Sequence, residues 1–328
     1  MRTSQTGNTL SHMIAAVVTL VVFFILVITG FALFTAWTAQ RIDAALPPPG
    51  KFIDIDGSQI HYVEKGSGPP ILMIPGLGAQ LRHLTHSMVD ILAKDFRVIA
   101  IDRPGAGNST RAPGLSASLE AQADIVAKLI QKLDLDRPLL VGHSMGGAIS
   151  LSVALDHPEL VRGLVLIAPF TQVEHEPPEV LKPLMIRSPF LRHAVAWTFA
   201  TPLAIINKDA TLAALFAPEE PVSDFATKGG ALLGLRPQSF VAASEDIVAL
   251  EQHFESFAAM VARYPTLSLP TWIIYGRGDR ILDYKKHGEL TASQIPEARL
   301  ELVDGGHMLP LTMPELASDI VRQTMANT

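Results

Sequence analysis

The hydrophobic pattern of this chain changes abruptly after its first forty residues. From Met13 to Trp37 there is not one charged side chain. As a helix rising about 1.5 Å per residue, that run exceeds the ~30 Å hydrocarbon core of a bilayer. Its roughly fifteen Val, Ile, Leu and Phe residues, at a few tenths of a kcal/mol each, favour insertion by about 5 kcal/mol before polar penalties. An uncleaved transmembrane anchor over 13–37 is therefore expected. The competing reading is a signal peptide, with secretion after cleavage. Such a peptide has an apolar core of only about 7–15 residues and a small-x-small site behind it, and Trp37 spoils that register. Arg2 lies before the span, while Arg41, Asp43 and Lys51 nearly cancel after it. Segment 1–12 is then expected in the cytoplasm and the large domain outside it. Residues 38–51, with Pro47-Pro48-Pro49, read as a stiff linker.

Beyond the linker the pattern alternates and then repeats. Phe52 to Ile55 and Gln59 to Glu64 flank the turn Asp56-Gly57, a hairpin signal. Short, almost wholly apolar strands follow at Ile71–Ile74, Arg97–Ile101, Leu139–Val141 and Leu164–Ala168, with helical spacing at Leu81–Leu92, Leu119–Leu133 and Met145–Leu155. Strands apolar on both faces, alternating with helices, predict a mostly parallel sheet covered on both sides. From Pro169 to Pro270 no strand is legible, only helical stretches; strands resume at Thr271–Tyr275 and Leu300–Val303, and Leu316–Met325 closes the chain as a helix. The expected organisation is an α/β core at 52–168 and 271–328, interrupted by a helical insertion at 169–270.

Composition narrows the chemistry. The net charge of −6 and the absence of a basic run argue against a nucleic-acid partner. With no cysteine, disulfides, thiolate nucleophiles and thiolate metal sites are excluded. Mean hydropathy is +0.29, and the segment 13–37 accounts for much of it.

The stretch Val141-Gly142-His143-Ser144-Met145-Gly146-Gly147 sits between a strand and a helix. A serine on so sharp a strand-to-helix turn needs glycines on either side, because side chains there would strike neighbouring backbone. Ser144 is thus the candidate nucleophile. A serine hydroxyl needs a positioned base, and the base an orienting acid. Of eleven histidines, His307 best fits, in Asp304-Gly305-Gly306-His307-Met308 just past the last strand. His143 is expected to point away and pack against the elbow; His61 falls in the early hairpin, and His287 is read, with the remaining histidines, as a surface or core residue. Asp279, in Tyr275-Gly276-Arg277-Gly278-Asp279, follows the penultimate strand and is the candidate acid, with Asp283 in reserve and Asp102 read as a turn residue. The backbone N–H groups of Leu77, after Pro75-Gly76, and of Met145 are the candidate oxyanion donors.

Taken together, Pro75-Gly76-Leu77-Gly78, the Asp102–Ser109 loop, the Ser144 elbow, Gly276–Asp279 and Gly305-Gly306-His307 make the chain resemble an α/β-hydrolase from about residue 52 to its end. The resemblance implies that 169–270 is a cap roofing the pocket, and that Ser144, Asp279 and His307 form a catalytic triad. The family often has His-Gly where this chain has Pro75-Gly76. Serine at the elbow argues against the dehalogenase and epoxide-hydrolase branches, which use aspartate. The His-Ser-Met-Gly-Gly run is more like esterases and monoacylglycerol-type lipases than carbon–carbon bond hydrolases.

The expectation is a membrane-anchored serine hydrolase cleaving a hydrophobic carboxylic ester, a small molecule, with no metal or organic cofactor and with the bilayer as partner of the N-terminal helix. Open alternatives are acyl transfer, lactone or amide hydrolysis, carbon–carbon cleavage by the same triad, and a low-turnover ligand-binding receptor of the same fold.

Overall fold

The computed structural model describes residues 3–328, with side chains from residue 11 onward. Arg2, on which the orientation argument leans, and most side chains of segment 1–12 lie outside the described residues. The first element is one long helix, α1 (Thr3–Ala45). Its portion Ser11–Ala45 is long and apolar enough to cross a membrane, and the most apolar stretch is bare of protein contacts. The helix does not end at Trp37, and half of the expected 38–51 linker is helical. The reason is local packing: Ala39 and Ile42 are buried, and Asp43 pairs with Arg236 at 3.0 Å.

β1 (Lys51–Ile55) and β2 (Ser58–Lys65) form the expected hairpin. Asp56 and Gly57 both take positive φ, 51° and 83°, as a tight two-residue hairpin turn requires. β3 (Pro70–Ile74) follows, then two short helices at Arg82–Thr85 and Met88–Leu92 in place of one continuous helix. After β4 (Arg97–Ile101) come α2 (Leu119–Lys132), β5 (Leu139–His143), α3 (Met145–Asp156) and β6 (Gly163–Ile167). Between β6 and β7 the described elements are helical. Among them α4 (Pro189–Val195) runs through a π-wound turn at Ala196–Ala200 into α5 (Thr201–Ile206), and α6 spans Pro237–Gln252. β7 (Thr271–Gly276), β8 (Arg299–Val303) and α7 (Pro314–Ala326) complete the chain.

The eight strands form one sheet in the order β1-β2-β4-β3-β5-β6-β7-β8. The first two pairings are antiparallel and the rest parallel. Successive residues of the central strands feed opposite faces. Leu72, Ile74, Leu140 and Leu166 pack with α2 and α3 on one side. Ile71, Met73, Val141 and Val165 pack with α7 and the 82–92 helices on the other. Burial on both faces is why these strands read as unbroken apolar runs. The chain reverses its direction of winding between β3 and β5, and there the C-terminal strand ends open a crevice.

Candidate active site

Ser144 stands at the C-terminal end of β5 with φ 53° and ψ −121°. This is strained backbone for a residue with a side chain, and it persists only where the surroundings enforce it. The flanking glycines are obligatory. A Cβ on Gly142 would lie 2.4 Å from the Gly146 carbonyl oxygen, and one on Gly146 would lie 2.1 Å from that of Ile74. Gly76 plays the same part from the neighbouring strand end, since a Cβ there would sit 2.8 Å from Ser144 Cβ.

The loops after β7 and β8 bring Asp279 to His307, with His307 Nδ1 and Asp279 Oδ2 2.7 Å apart. Asp279 Oδ1 accepts the backbone N–H groups of Ile281 and Leu282 at 2.8 and 3.0 Å. Burial alone would raise the Asp279 pKa; the His307 charge, the His307 hydrogen bond and the two N–H groups outweigh it, and the net shift is downward. The ionised carboxylate can only accept, so Nδ1 of His307 carries a proton, which selects the tautomer whose other nitrogen, Nε2, is the one able to act as base. The reserve acid Asp283 is turned to its own segment, accepting Lys285 N–H at 2.9 Å.

His143 does more than pack against the elbow. Its ring lies 5.1 Å from that of His307, and its Nε2 donates to the His307 carbonyl at 3.0 Å. The residue before the serine therefore fixes the backbone of the loop that carries His307. Burial, then the proximity of His307, lowers its pKa to about 3, so it is neutral.

Two features of the loop after β3, which carries the candidate donor Leu77, were not legible in sequence. Arg103 is wholly buried, and its guanidinium donates to the carbonyls of Pro75 at 3.0 Å and Gly76 at 2.8 Å. The C=O of Gly76 and the N–H of Leu77 belong to one trans peptide and point oppositely. Holding the carbonyl toward Arg103 thus turns the Leu77 N–H the other way. Among the described residues neither Leu77 N–H nor Met145 N–H has an acceptor. Arg103 is itself held by Asp246 of α6 at 2.8 Å, which couples the helical insertion to this loop. No local pattern marks an arginine in a turn as a buried clamp. Asp102 is the turn residue expected, accepting Leu81 and Asn108 N–H groups, and it also pairs with buried His61 at 2.7 Å.

A cavity of about 150 Å³ opens onto Ser144, Met145 and Leu77. Ile281 and Leu282 line it from the α/β core; Phe170, Leu181, Met185, Leu250 and Phe254 line it from segment 169–270. Its polar exceptions are Glu174, His175 and Glu251. Glu174 is positioned by His287, whose Nδ1 accepts from Thr171 and Gln172 N–H and whose Nε2 donates to Glu174 Oε1 at 2.9 Å. Among the described residues no cluster of His, Asp or Glu has the makings of a metal site.

The sequence profile of the α/β hydrolase fold matches residues 69–314. The chain belongs to that family. The family and its relatives identify a hydrolase. One relative is a putative non-heme haloperoxidase of Mycobacterium phage D29, 27% identical over 81% of this chain and 91% of its own. Among solved structures, an esterase of Thermogutta terrifontis superposes with a TM-score of 0.66 at 22% identity, covering 85% of this chain and 99% of that one. A membrane phospholipase A described as a bacterial virulence factor gives 0.67 at 22% identity, covering 97% and 98%. At these identities the two structures speak for the fold alone.

Proposed function

We propose that the protein is a membrane-anchored serine hydrolase that cleaves a hydrophobic carboxylic ester. The observation that carries this reading is the 2.7 Å Asp279–His307 hydrogen bond, in a loop tied through His143 to the strained Ser144 elbow. In this reading Ser144 Oγ attacks the ester carbonyl while His307 Nε2 takes its proton. The N–H groups of Leu77 and Met145 hold the tetrahedral oxyanion, each worth roughly 3 kcal/mol to the transition state. His307 returns the proton to the leaving alcohol, and water then releases the acyl group by the same steps in reverse. Asp279 keeps the imidazole in the tautomer that leaves Nε2 free and stabilises the imidazolium as it forms.

The predominantly apolar cavity wall supports a hydrophobic acyl group. Its size, on the order of a cavity that holds one benzene ring, supports a short chain or an insertion that opens for a longer one. Segment 169–270 serves as the cap, and α1 as the anchor, with the catalytic domain on the extracytoplasmic side. The membrane phospholipase of the same fold is compatible with such an anchor. The test is hydrolysis of p-nitrophenyl esters of graded acyl length by the full chain in micelles, beside Ser144→Ala. Turnover that disappears in the variant supports the mechanism. Turnover that survives it refutes the assignment of the nucleophile, and a folded chain inert on every ester turns the reading toward a non-ester substrate or a receptor.

A further inference from the structure

Outside α1, the exposed large apolar side chains of the described residues are concentrated in one place. Phe190, Leu191, Trp197, Phe199, Leu203 and Ile206 all lie on the α4–π–α5 stretch; only Phe52, Leu290 and Leu316 lie elsewhere. Phe190 is 84% exposed and Ile206 75%. From Ala194 to Asn207 the stretch has no charged residue. Arg192 does not interrupt the face, because it is buried and donates to Ser244 Oγ and the Ile186 carbonyl. His193 is the one titratable side chain exposed there. So many exposed large apolar side chains on one short helical stretch mark a candidate interaction site.

What covers it is indicated by α1. The same stretch is docked on that helix: Phe31 and Phe199 have ring centroids 5.4 Å apart, and Thr35 Oγ1 donates to the Thr198 carbonyl in a buried contact of 3.3 Å. Counted from Met13, Phe31 lies ~27 Å and Thr35 ~33 Å along the helix axis, which is where a ~30 Å hydrocarbon core gives way to head groups. Trp37, with Arg41 over its ring at 5.4 Å, sits about 3 Å beyond Thr35 along the axis, as aromatic and cationic side chains do at a bilayer interface. The depth of the π-wound turn is thus set by its contact with α1. We infer that the face formed by Phe190, Leu191, Trp197, Leu203 and Ile206 is a second membrane contact, seated in the interfacial layer of the bilayer that α1 crosses.

This inference rests on reading α1 as a bilayer-spanning anchor. Its consequence is that the insertion lining the candidate pocket is held against lipid. The segment bearing Leu181 and Met185 leads directly into α4, so an acyl chain leaving the bilayer meets the cap first.

The chain has no cysteine, so single labels need no background removal. The test uses full-length Ile206→Cys and, separately, Thr19→Cys, each carrying an environment-sensitive fluorophore. Both are reconstituted in phosphatidylcholine–phosphatidylglycerol vesicles containing lipid brominated near the head group or deep in the chain. The expected result is a blue-shifted Ile206→Cys label, quenched by the shallow bromolipid and protected from aqueous iodide, with Thr19→Cys quenched by the deep one. Quenching at Thr19→Cys alone, with Ile206→Cys open to iodide, overturns the second contact and leaves the anchor standing. Loss of lipid quenching at both positions overturns the anchor reading itself. An Ile206→Cys label shielded from lipid and iodide alike, with the unlabelled variant forming disulfide dimers on oxidation, would give the face to a second copy of the chain and refute the inference.

Discussion

His143 supplies a pH dependence whose size can be worked out from its surroundings. The ring is buried, donates from Nε2 to the His307 carbonyl, and has no partner at Nδ1 among the described residues. Protonating Nδ1 would bury a charge with no acceptor, which is why burial holds the pKa at about 3 against an ordinary 6.5. Above about pH 6.5 both folded and unfolded chains carry a neutral ring, and stability does not depend on this group. Below it the unfolded chain binds a proton that the folded chain refuses, so stability falls as pH falls, by about 1.4 kcal/mol per unit, until the folded pKa is reached. Between about pH 8 and about pH 5 the expected loss from His143 alone is about 2 kcal/mol. Other histidines contribute too, and comparison with His143→Gln removes them from the account. Glutamine can keep an N–H donor for the His307 carbonyl but does not titrate. Urea unfolding of the full chain in micelles, at both pH values, gives the measurement. The wild type should lose about 2 kcal/mol more than the variant across that interval. Equal losses in the two proteins would refute the reasoning, whatever the variant's stability at pH 8.

Substitutions at Asp279, Arg103 and Gly146 probe other parts of the site. Asp279→Asn keeps the shape of the side chain but removes the charge and unsettles the His307 tautomer; kcat should fall by on the order of 10⁴-fold with little change in secondary structure by circular dichroism. Arg103→Met leaves Asp246 with Arg111 as its remaining ionic partner and frees the Pro75 and Gly76 carbonyls; a loss of roughly 3 kcal/mol in unfolding free energy is expected from breaking the buried pair, and Arg103→Lys should restore more stability than kcat. Gly146→Ala drives a methyl to 2.1 Å from the Ile74 oxygen, so it should lower the melting temperature and abolish esterase turnover together, whereas Gly114→Ser, with nothing within 4 Å of its added Cβ, should leave turnover intact despite its φ of 82°.

Much of the architecture was written in the sequence because local rules and the fold agree there. Asp56-Gly57 dictates the hairpin turn, and the unbroken apolar runs of β3, β5 and β6 follow from burial on both faces. Gly142 and Gly146 announce the elbow because only glycine fits beside the strained Ser144 backbone. Asp279 and His307 were legible as acid and base candidates from their places just after strands, and the sheet order sets those loops at the same edge.

Other features existed only once distant segments met. Nothing near Arg103 in the chain signals that it grips the Pro75 and Gly76 carbonyls while Asp246, far along in α6, neutralises it. His143 could not be recognised as the support of His307 without the contact between two loops. The helix continues past Trp37 because Ala39, Ile42 and Asp43 find partners on a surface assembled from residues near 198 and 236. The apolar residues from 190 to 206 are, in the sequence, part of the helical stretches of 169–270 and no more, and only their position in the folded chain leaves them bare beside α1. Sequence periodicity records which face of an element avoids water; the meeting of elements decides whether protein or lipid covers it.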